Sequence, residues 1–254
     1  MTKKAQIIAL ANQKGGVGKT TTCHVLAYGL QDRGKKVLLI DTDPQTNLTE
    51  TFSIAEYQGR SIYQLFKKEK KASECIFPVS DNLDIIPGSL YMAGADMEFS
   101  QPGREYLLKE ALIEVADRYD YIIIDTPPNL GIITINVIVA AHSTIIPMKA
   151  SKYSVQGLSQ LLQTIDVVSG YYNSAHKIAG ILITQYDGRT NIRRNIKEAI
   201  EKVLATMGIH IFNTVIRNGV AIEEVQYAQE SLFTKKKTSV TEDYKKFIEE
   251  LLEV

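Results

Sequence analysis

Eleven consecutive residues near the start of the chain, Asn12-Gln13-Lys14-Gly15-Gly16-Val17-Gly18-Lys19-Thr20-Thr21-Thr22, carry the residue types that polyphosphate chemistry needs. Gly15, Gly16 and Gly18 let backbone approach a polyphosphate closely and turn its N–H groups inward. Lys19 can then neutralise β/γ-phosphate charge, and the Thr20 hydroxyl can ligate Mg²⁺. The usual phosphate-loop pattern wants glycine where Gln13 stands. An extra cation, Lys14 at the mouth of the loop, accompanies the missing glycine.

A second set of groups supplies carboxylates. The apolar run Val37–Ile40 leads into Asp41-Thr42-Asp43-Pro44-Gln45-Thr46-Asn47, and Tyr121–Ile124 leads into Asp125-Thr126-Pro127-Pro128. Both place acids at the carboxyl end of a strand, the edge that also carries the glycine loop. Asp125 fits the acid that holds Mg²⁺ in phosphate-loop nucleotidases. Asp41 or Asp43 could orient or deprotonate an attacking water, and a carboxylate beside phosphates needs a metal nearby to stay ionised. An aspartate at a strand end is, alone, an ordinary cap. Its order and spacing relative to the glycine loop make it a functional candidate.

The elements that position these groups are short apolar strands alternating with amphipathic helices. Candidate strands are Gln6–Ala11, Lys36–Ile40, Leu83–Ile86, Tyr121–Ile124, Thr144–Pro147, Ile178–Thr184 and Ile211–Val215. They are near-continuous Val/Ile/Leu runs, the pattern of parallel strands covered on both faces. Candidate helices are Thr20–Asp32, Gly103–Tyr119, Leu130–Ala141, Ser154–Ser169, Asn191–Met207 and Thr241–Leu252. Ser154 and Thr241 are expected as N-caps, and Gly170 and Gly208 as C-cap glycines. The pattern predicts an α/β fold with a doubly wound, mostly parallel sheet, helices on both faces, and ligands at the carboxyl ends of the strands. Residues 1–254 read as one domain. The least regular stretch, Thr51–Gly103, is expected to carry loops that face a partner.

Composition narrows the class further. Of 254 residues, 44% are apolar and 23% charged, with formal net charge zero, so any nucleic-acid or membrane attraction must come from local patches. Cys23 and Cys75 lack metal-ligand spacing and read as reduced thiols of a cytosolic protein. No apolar run approaches the length that spans a bilayer, and Met1–Lys4 leads into a strand rather than a signal peptide. His24, His142, His176 and His210 are scattered, and no metal other than Mg²⁺ is expected.

The segments Lys14–Thr21, Asp41–Asn47 and Asp125–Pro128 together resemble the ParA/Soj family of deviant-Walker phosphate-loop ATPases. The likeness covers nearly the whole chain, extending to Thr184-Gln185-Tyr186-Asp187-Gly188-Arg189-Thr190-Asn191 and Asn213-Thr214-Val215-Ile216-Arg217-Asn218. It implies ATP and Mg²⁺ as cofactors and slow, partner-stimulated hydrolysis to ADP and phosphate. It also implies an ATP-dependent face-to-face homodimer and non-specific binding of double-stranded DNA. Partition of plasmid or chromosomal DNA would involve a ParB-type centromere-binding adaptor. By resemblance, Lys14 reaches the phosphates of the partner subunit, where a cation delivered in trans stabilises charge on the transferred group. Asp43 matches the family's water-activating aspartate. The matched ATP-binding set is Lys14, Gly15, Gly16, Val17, Gly18, Lys19, Thr20 and Thr21, with Ile216 and Asn218 near the adenine. Thr20, Asp41 and Asp125 form the matched metal set. The implied location is cytoplasmic, on the nucleoid when ATP is bound.

Two departures from the family stand out. Ile216 joins Arg217 directly, without the family's proline, and Ala221–Tyr227 replaces a Ser-Glu-Ala-Pro-Ser-like segment. The chain also begins at its first strand, with no N-terminal helix-turn-helix domain as in larger plasmid members, so autorepression is not expected.

Basic residues cluster at Lys67, Lys68, Lys70 and Lys71; at Arg189, Arg193, Arg194 and Lys197; and at Lys235–Lys237. The middle cluster is the DNA candidate, because Arg193 and Lys197 lie four apart on one predicted helix with Arg194 adjacent. Arg189 and Arg217 match positions the resemblance links to DNA contact. Aromatics do not interleave with these runs, which favours duplex phosphates over stacked single strands. The last helix carries five acids against two lysines from Thr241 to Val254. Unlike the basic tail of MinD-type relatives, it would be repelled by an anionic leaflet, so it is expected to dock through Phe247, Ile248, Leu251 and Leu252, and no membrane partner is expected. Cys23 and Cys75 are not placed like the cluster ligands of nitrogenase-iron-protein relatives. The alternatives to DNA partition are a ParA-like positioner of a protein cargo and a nucleotide-gated regulatory binding module.

Overall fold

The computed structural model describes residues 5–54, 56–151, 154–188, 191–234 and 237–253, the side chains of 154–156 and 191–194 excepted. Its strands are β1 (Gln6–Leu10), β2 (Val37–Asp41), β3 (Phe77–Ser80), β4 (Leu83–Ile86), β5 (Tyr121–Asp125), β6 (Ser143–Lys149), β7 (Lys177–Tyr186) and β8 (Ile211–Arg217). Its α-helices are α1 (Lys19–Gln31), α2 (Asn47–Glu50), α3 (Ile62–Phe66), α4 (Ala95–Glu98) and α5 (Leu107–Leu112). They continue with α6 (Ile132–Ala140), α7 (Ser154–Tyr172), α8 (Asn191–Thr206), α9 (Val220–Ala228) and α10 (Ser239–Glu253).

Among the described residues the strands form one sheet in the order β3-β4-β2-β5-β1-β6-β7-β8. Every pairing is parallel except that of β3 with β4. Alternation along each strand sorts its side chains between two layers. Ile7 and Ala9 of β1, Leu38 and Ile40 of β2, and Ile122 and Ile124 of β5 pack with α3, α5 and α6. Ile8, Leu10, Leu39 and Ile123 face the layer of α1, α9 and α10. A third cluster joins α6, α7 and α8 on the first layer. Helices cover both faces, as the near-continuous apolar strands predict.

Several boundaries differ from expectation for identifiable reasons. The predicted helix Gly103–Tyr119 is interrupted: 3₁₀ turns at Arg104–Tyr106 and Ala116–Arg118 flank the short α5. Buried Asn136 of α6 accepts from the Leu108 N–H at 3.1 Å and donates to the Arg104 carbonyl at 2.8 Å. That is the i to i−4 pair a continuous helix would have formed. β3 was not predicted because it is four residues long, alternates exposed and half-buried positions, and contains Pro78, which an edge strand tolerates. α7 runs on to Tyr172, so Gly170 lies inside it rather than capping it. Gly208, at φ +67°, follows α8 as predicted. α10 starts at Ser239, and Thr238, not Thr241, is its cap, its Oγ1 accepting from the Thr241 N–H at 3.2 Å. The expected Ser154 cap side chain, Met1–Lys4 and Lys235–Lys236 lie outside the described residues. α9 is a helix where the family-divergent segment Ala221–Tyr227 carried no predicted element.

The C-terminal helix is part of the core. Val240, Tyr244, Phe247 and Ile248 are buried against α1 and β8, while Leu251 is half-buried and Leu252 exposed. Phe247 meets Phe212 edge-on at a centroid distance of 4.9 Å. Gly29 of α1 permits this closeness, because a Cβ there would stand 2.2 Å from Ile248 Cδ1. The Phe247→Ala variant is therefore expected to lose about 3–5 kcal/mol of unfolding free energy, measured by urea titration.

Candidate active site

The glycine loop connects β1 to α1 at the carboxyl edge of the sheet. Gly16 and Gly18 adopt φ +66° and +88°, a backbone region that side-chain-bearing residues rarely enter, and Gly18 caps α1. Asn12 braces the loop from within: its Nδ2 donates to the Pro147 carbonyl at 2.7 Å and its Oδ1 accepts from the Lys14 N–H at 2.9 Å. The end of β7 braces it from the side. Thr184 Oγ1 donates to the Val17 carbonyl at 2.7 Å, and Gln185 Nε2 donates to the Gly16 carbonyl at 2.9 Å. In a planar trans peptide the next N–H points away from the carbonyl, so pinning these two carbonyls directs the Val17 and Gly18 N–H groups to the other side. Thr184 and Gln185 stand in the family-like segment Thr184–Asn191, but the sequence reading gave neither a role. The available signal was a polar Thr-Gln pair directly after the apolar run Ile178–Ile183. Gln185 also holds φ +50°, strain of the kind concentrated at functional sites.

The strand ends bring the predicted carboxylates together. β2 and β5 pair in register, with Asp41 opposite Asp125. Thr20 Oγ1 donates to Asp125 Oδ2 at 2.6 Å, while Asp125 Oδ1 is buried without a hydrogen-bond partner. Burial, reinforced by Asp41, pushes the Asp125 carboxyl up to about 8. Asp41 is pushed up to about 6, again by burial. Asp43 is buried beside them, its Oδ1 accepting from the Gln45 N–H at 2.9 Å. Thr42 and Thr126 tie the strand ends together by donating to the Asp125 and Leu10 carbonyls at 2.6 and 2.8 Å.

These residues fit a magnesium ion. The orphaned Oδ1 of Asp125 and the neighbouring Thr20 hydroxyl offer hard oxygen donors where buried negative charge calls for a cation. No group of three or more His, Cys, Asp or Glu side chains among the described residues forms a metal cage by itself. A cation here would complete its shell with phosphate and water oxygens, as Mg²⁺ commonly does.

The two loop lysines occupy opposite environments. Lys19 is buried, and its Nζ donates to the Asn12 carbonyl at 3.2 Å. Burial lowers its pKa, while Asp125 and Asp43 oppose that shift. Lys14 is exposed, and its Nζ reaches Ser151 Oγ at 3.4 Å, a long contact on the surface. A cleft of about 470 Å³ opens between the loop and the acids, lined by Gly15, Gly16, Gly18, Lys19, Thr20, Thr21, Asp43, Gln45, Asn47, Thr51, Pro128, Gln185 and Gln226. A cavity of about 480 Å³ at the opposite strand ends, lined by Gln6, Tyr121, Ser143 and Lys177 among others, adjoins none of the predicted site residues.

Other expected site residues are placed elsewhere. Val17 and Ile216 are buried with their side chains in the core, and Asn218 is exposed past β8; none lines the cleft. Gln226 of α9 does, and the sequence reading did not select it. Arg217 forks onto Asp243, with Nε to Oδ2 at 2.8 Å and an Nη to Oδ1 at 2.6 Å, and also donates to the Ser239 carbonyl at 3.0 Å. Lys197 pairs with Glu201 one turn on. Arg193 and Arg194 fall on the first turn of α8, and Arg189 lies outside the described residues. Lys67, Lys68 and Lys70 each pair with a glutamate.

A family model described as an AAA domain matches residues 5–178. The sporulation initiation inhibitor protein Soj of Bacillus subtilis (strain 168) is 40% identical over 222 residues, covering 86% of this chain and 87% of that protein. The chromosome partitioning protein ParA of Myxococcus xanthus (strain DK1622) is 37% identical over 222 residues, covering 86% and 77%. The chain belongs to the ParA/Soj family. Among solved structures, cobyrinic acid a,c-diamide synthase from Mycobacterium smegmatis with bound ATP analog and magnesium is similar, with a TM-score of 0.85 and 30% identity over 98% of this chain and 94% of that one. No helix among the described residues is long and apolar enough to cross a membrane.

In this ParA/Soj chain, α1 also anchors elements bordering the cleft. His24 Nδ1 bonds Thr51 Oγ1 at 2.9 Å, and its Nε2 bonds the Glu230 carbonyl at 3.1 Å. Burial lowers its pKa from 6.5 to about 4. The folded chain thus keeps His24 neutral between those values while the unfolded chain protonates it. Stability from this residue is unaffected above pH about 6.5 and declines by about 1.4 kcal/mol per pH unit on acidification towards pH 4. Urea titrations at pH 7.5 and 5 are expected to show a loss about 2 kcal/mol larger for the wild type than for His24→Gln.

Proposed function

We propose that this chain is an ATP-dependent dimerising switch that hydrolyses ATP to ADP and phosphate and partitions DNA with a ParB-type adaptor. The observation that carries the reading is the division of labour between Lys19, buried against Asp125 and Asp43, and Lys14, exposed on the same glycine loop. One ammonium serves its own site. The other is available to a facing copy.

In this reading the loop N–H groups and Lys19 bind the triphosphate, and Thr20 and Asp125 hold Mg²⁺. That ion would supply positive charge to offset the phosphate charge. Asp43 orients the attacking water and accepts its proton. Lys14 from the second copy stabilises charge on the transferred phosphoryl group. Without phosphates, bringing two cleft faces and their lysines together is unfavourable, so dimerisation depends on the triphosphate. The ATP dimer sits on duplex DNA through the first turns of α8 and Arg189, in the cytoplasm and on the nucleoid. The adaptor triggers hydrolysis and release. Slow intrinsic turnover keeps the DNA-bound state populated.

Sizing chromatography with ATP and nucleotide-binding assays separate the two lysines. Lys19→Ala is expected to abolish nucleotide binding, whereas Lys14→Ala binds ATP without forming a productive dimer. Normal dimerisation and turnover by Lys14→Ala would overturn the trans assignment. Asp43→Ala is expected to trap the ATP dimer on DNA, and rapid hydrolysis by it would remove Asp43 from catalysis. For the DNA face, replacing both Arg189 and Arg193 by alanine should weaken duplex binding and reduce the log–log salt slope by about 2. An unchanged slope would exclude them as phosphate contacts.

A further inference from the structure

The two buried carboxylates at the ends of β2 and β5 are satisfied in different ways. Asp125 leaves Oδ1 without a partner. Asp41 does not: its Oδ1 accepts from the Asp43 N–H at 3.1 Å, and its Oδ2 accepts from both the Thr49 N–H at 2.9 Å and the Thr49 hydroxyl at 2.7 Å. The Thr49 hydroxyl in turn accepts from the Gly88 N–H at 2.8 Å. Gly88 also closes the remaining space, since a Cβ there would stand 2.9 Å from Asp41 Cγ and 3.0 Å from its Oδ2. Asp41 and Thr49 are both fully or almost fully buried.

We propose that Asp41 is a positioning residue rather than a metal ligand: with Thr49 and Gly88 it folds the 42–49 loop that aims Asp43. The inference rests on the nucleotide-site reading above and removes Asp41 from the metal set Thr20, Asp41 and Asp125 that the family resemblance implies. The loop needs such a template. Thr46 holds φ +55°, and Thr46 N–H closes a tight turn on the Asp43 carbonyl at 3.0 Å. A carboxylate that gathers the N–H of Asp43 at one end of this loop and both donors of Thr49 at the other fixes its span. A metal drawing on the same oxygens would compete with three protein donors. The orphaned oxygen of Asp125 competes with none.

The test measures MgADP affinity against ADP affinity in EDTA by calorimetry, alongside ATP turnover. Asp125→Asn is expected to erase most of the Mg²⁺ dependence of binding. Asp41→Asn and Thr49→Val should keep that dependence within about threefold of wild type while turnover falls about 10-fold or more. Thr49→Ser, which retains the hydroxyl, should restore turnover, and the Asp41→Asn/Thr49→Val double variant should be no worse than Asp41→Asn alone. Loss of Mg²⁺ dependence in Asp41→Asn equal to that in Asp125→Asn would overturn the proposal, as would normal turnover in Thr49→Val. Unchanged Mg²⁺ dependence in Asp125→Asn would instead overturn the metal reading on which it rests.

Discussion

Three aspartates and one lysine are buried together at the carboxyl ends of β1, β2 and β5. The surrounding structure is organised around the cost of that arrangement. Charges removed from water are unfavourable unless each is met by an opposite charge or by hydrogen-bond donors. Asp41 is met by three donors and Asp125 by the Thr20 hydroxyl on one oxygen only, while Lys19 interacts electrostatically with both Asp125 and Asp43. The burial that pushes Asp125 up to about 8 marks where compensation is incomplete. A site left short of positive charge is suited to a ligand that arrives with a divalent cation.

The same constraint explains why the loops are braced by neighbours far along the chain. Glycines at φ +66° and +88° give the phosphate loop its path but little rigidity of their own. Rigidity comes from Asn12 on Pro147, Thr184 on Val17 and Gln185 on Gly16, which draw on the ends of β6 and β7. β1 lies between β5 and β6, so its loop has carboxylates on one side and these braces on the other. The strand order therefore converts two sequence-distant halves into one preorganised cleft.

The parts of this design legible in the sequence were those with strong local signatures. Near-continuous apolar runs announced the parallel strands, and the glycine loop with Asp41, Asp43 and Asp125 announced the cleft. What stayed hidden depends on contacts between distant segments. Nothing local marks Leu108 as the point where Asn136 interrupts a helix, because the competing partner comes from α6. Gln226 reaches the cleft only because α9 forms after Gly219, whose missing side chain lets it lie against Val240. The resemblance placed Ile216 near a base, but on β8 its side chain is one of the inward-facing positions and is buried with α1 and α10. Arg217, which the resemblance links to DNA contact, is held by the Asp243 fork in the fold.

Charge arithmetic at the cleft bears on why a second copy belongs to the proposed mechanism. Three buried carboxyl groups face the single ammonium of Lys19, an excess of acidic groups that burial already holds back from full ionisation at Asp125 and Asp41 before any nucleotide arrives. A triphosphate adds more. Mg²⁺ offsets part of that excess, and the chain's own remaining cation at the loop, Lys14, is exposed rather than folded inward. An ammonium held outward is a poor ligand for its own site, where water screens it. Enclosed between two facing copies, as the proposed function has it, it would be shielded from solvent and would act in a lower dielectric, where the same charge stabilises a phosphoryl group far more strongly. In the proposed mechanism, exposure of Lys14 in the single chain and its value in a closed pair would therefore be two sides of one arrangement, one that would couple closure to the presence of the triphosphate.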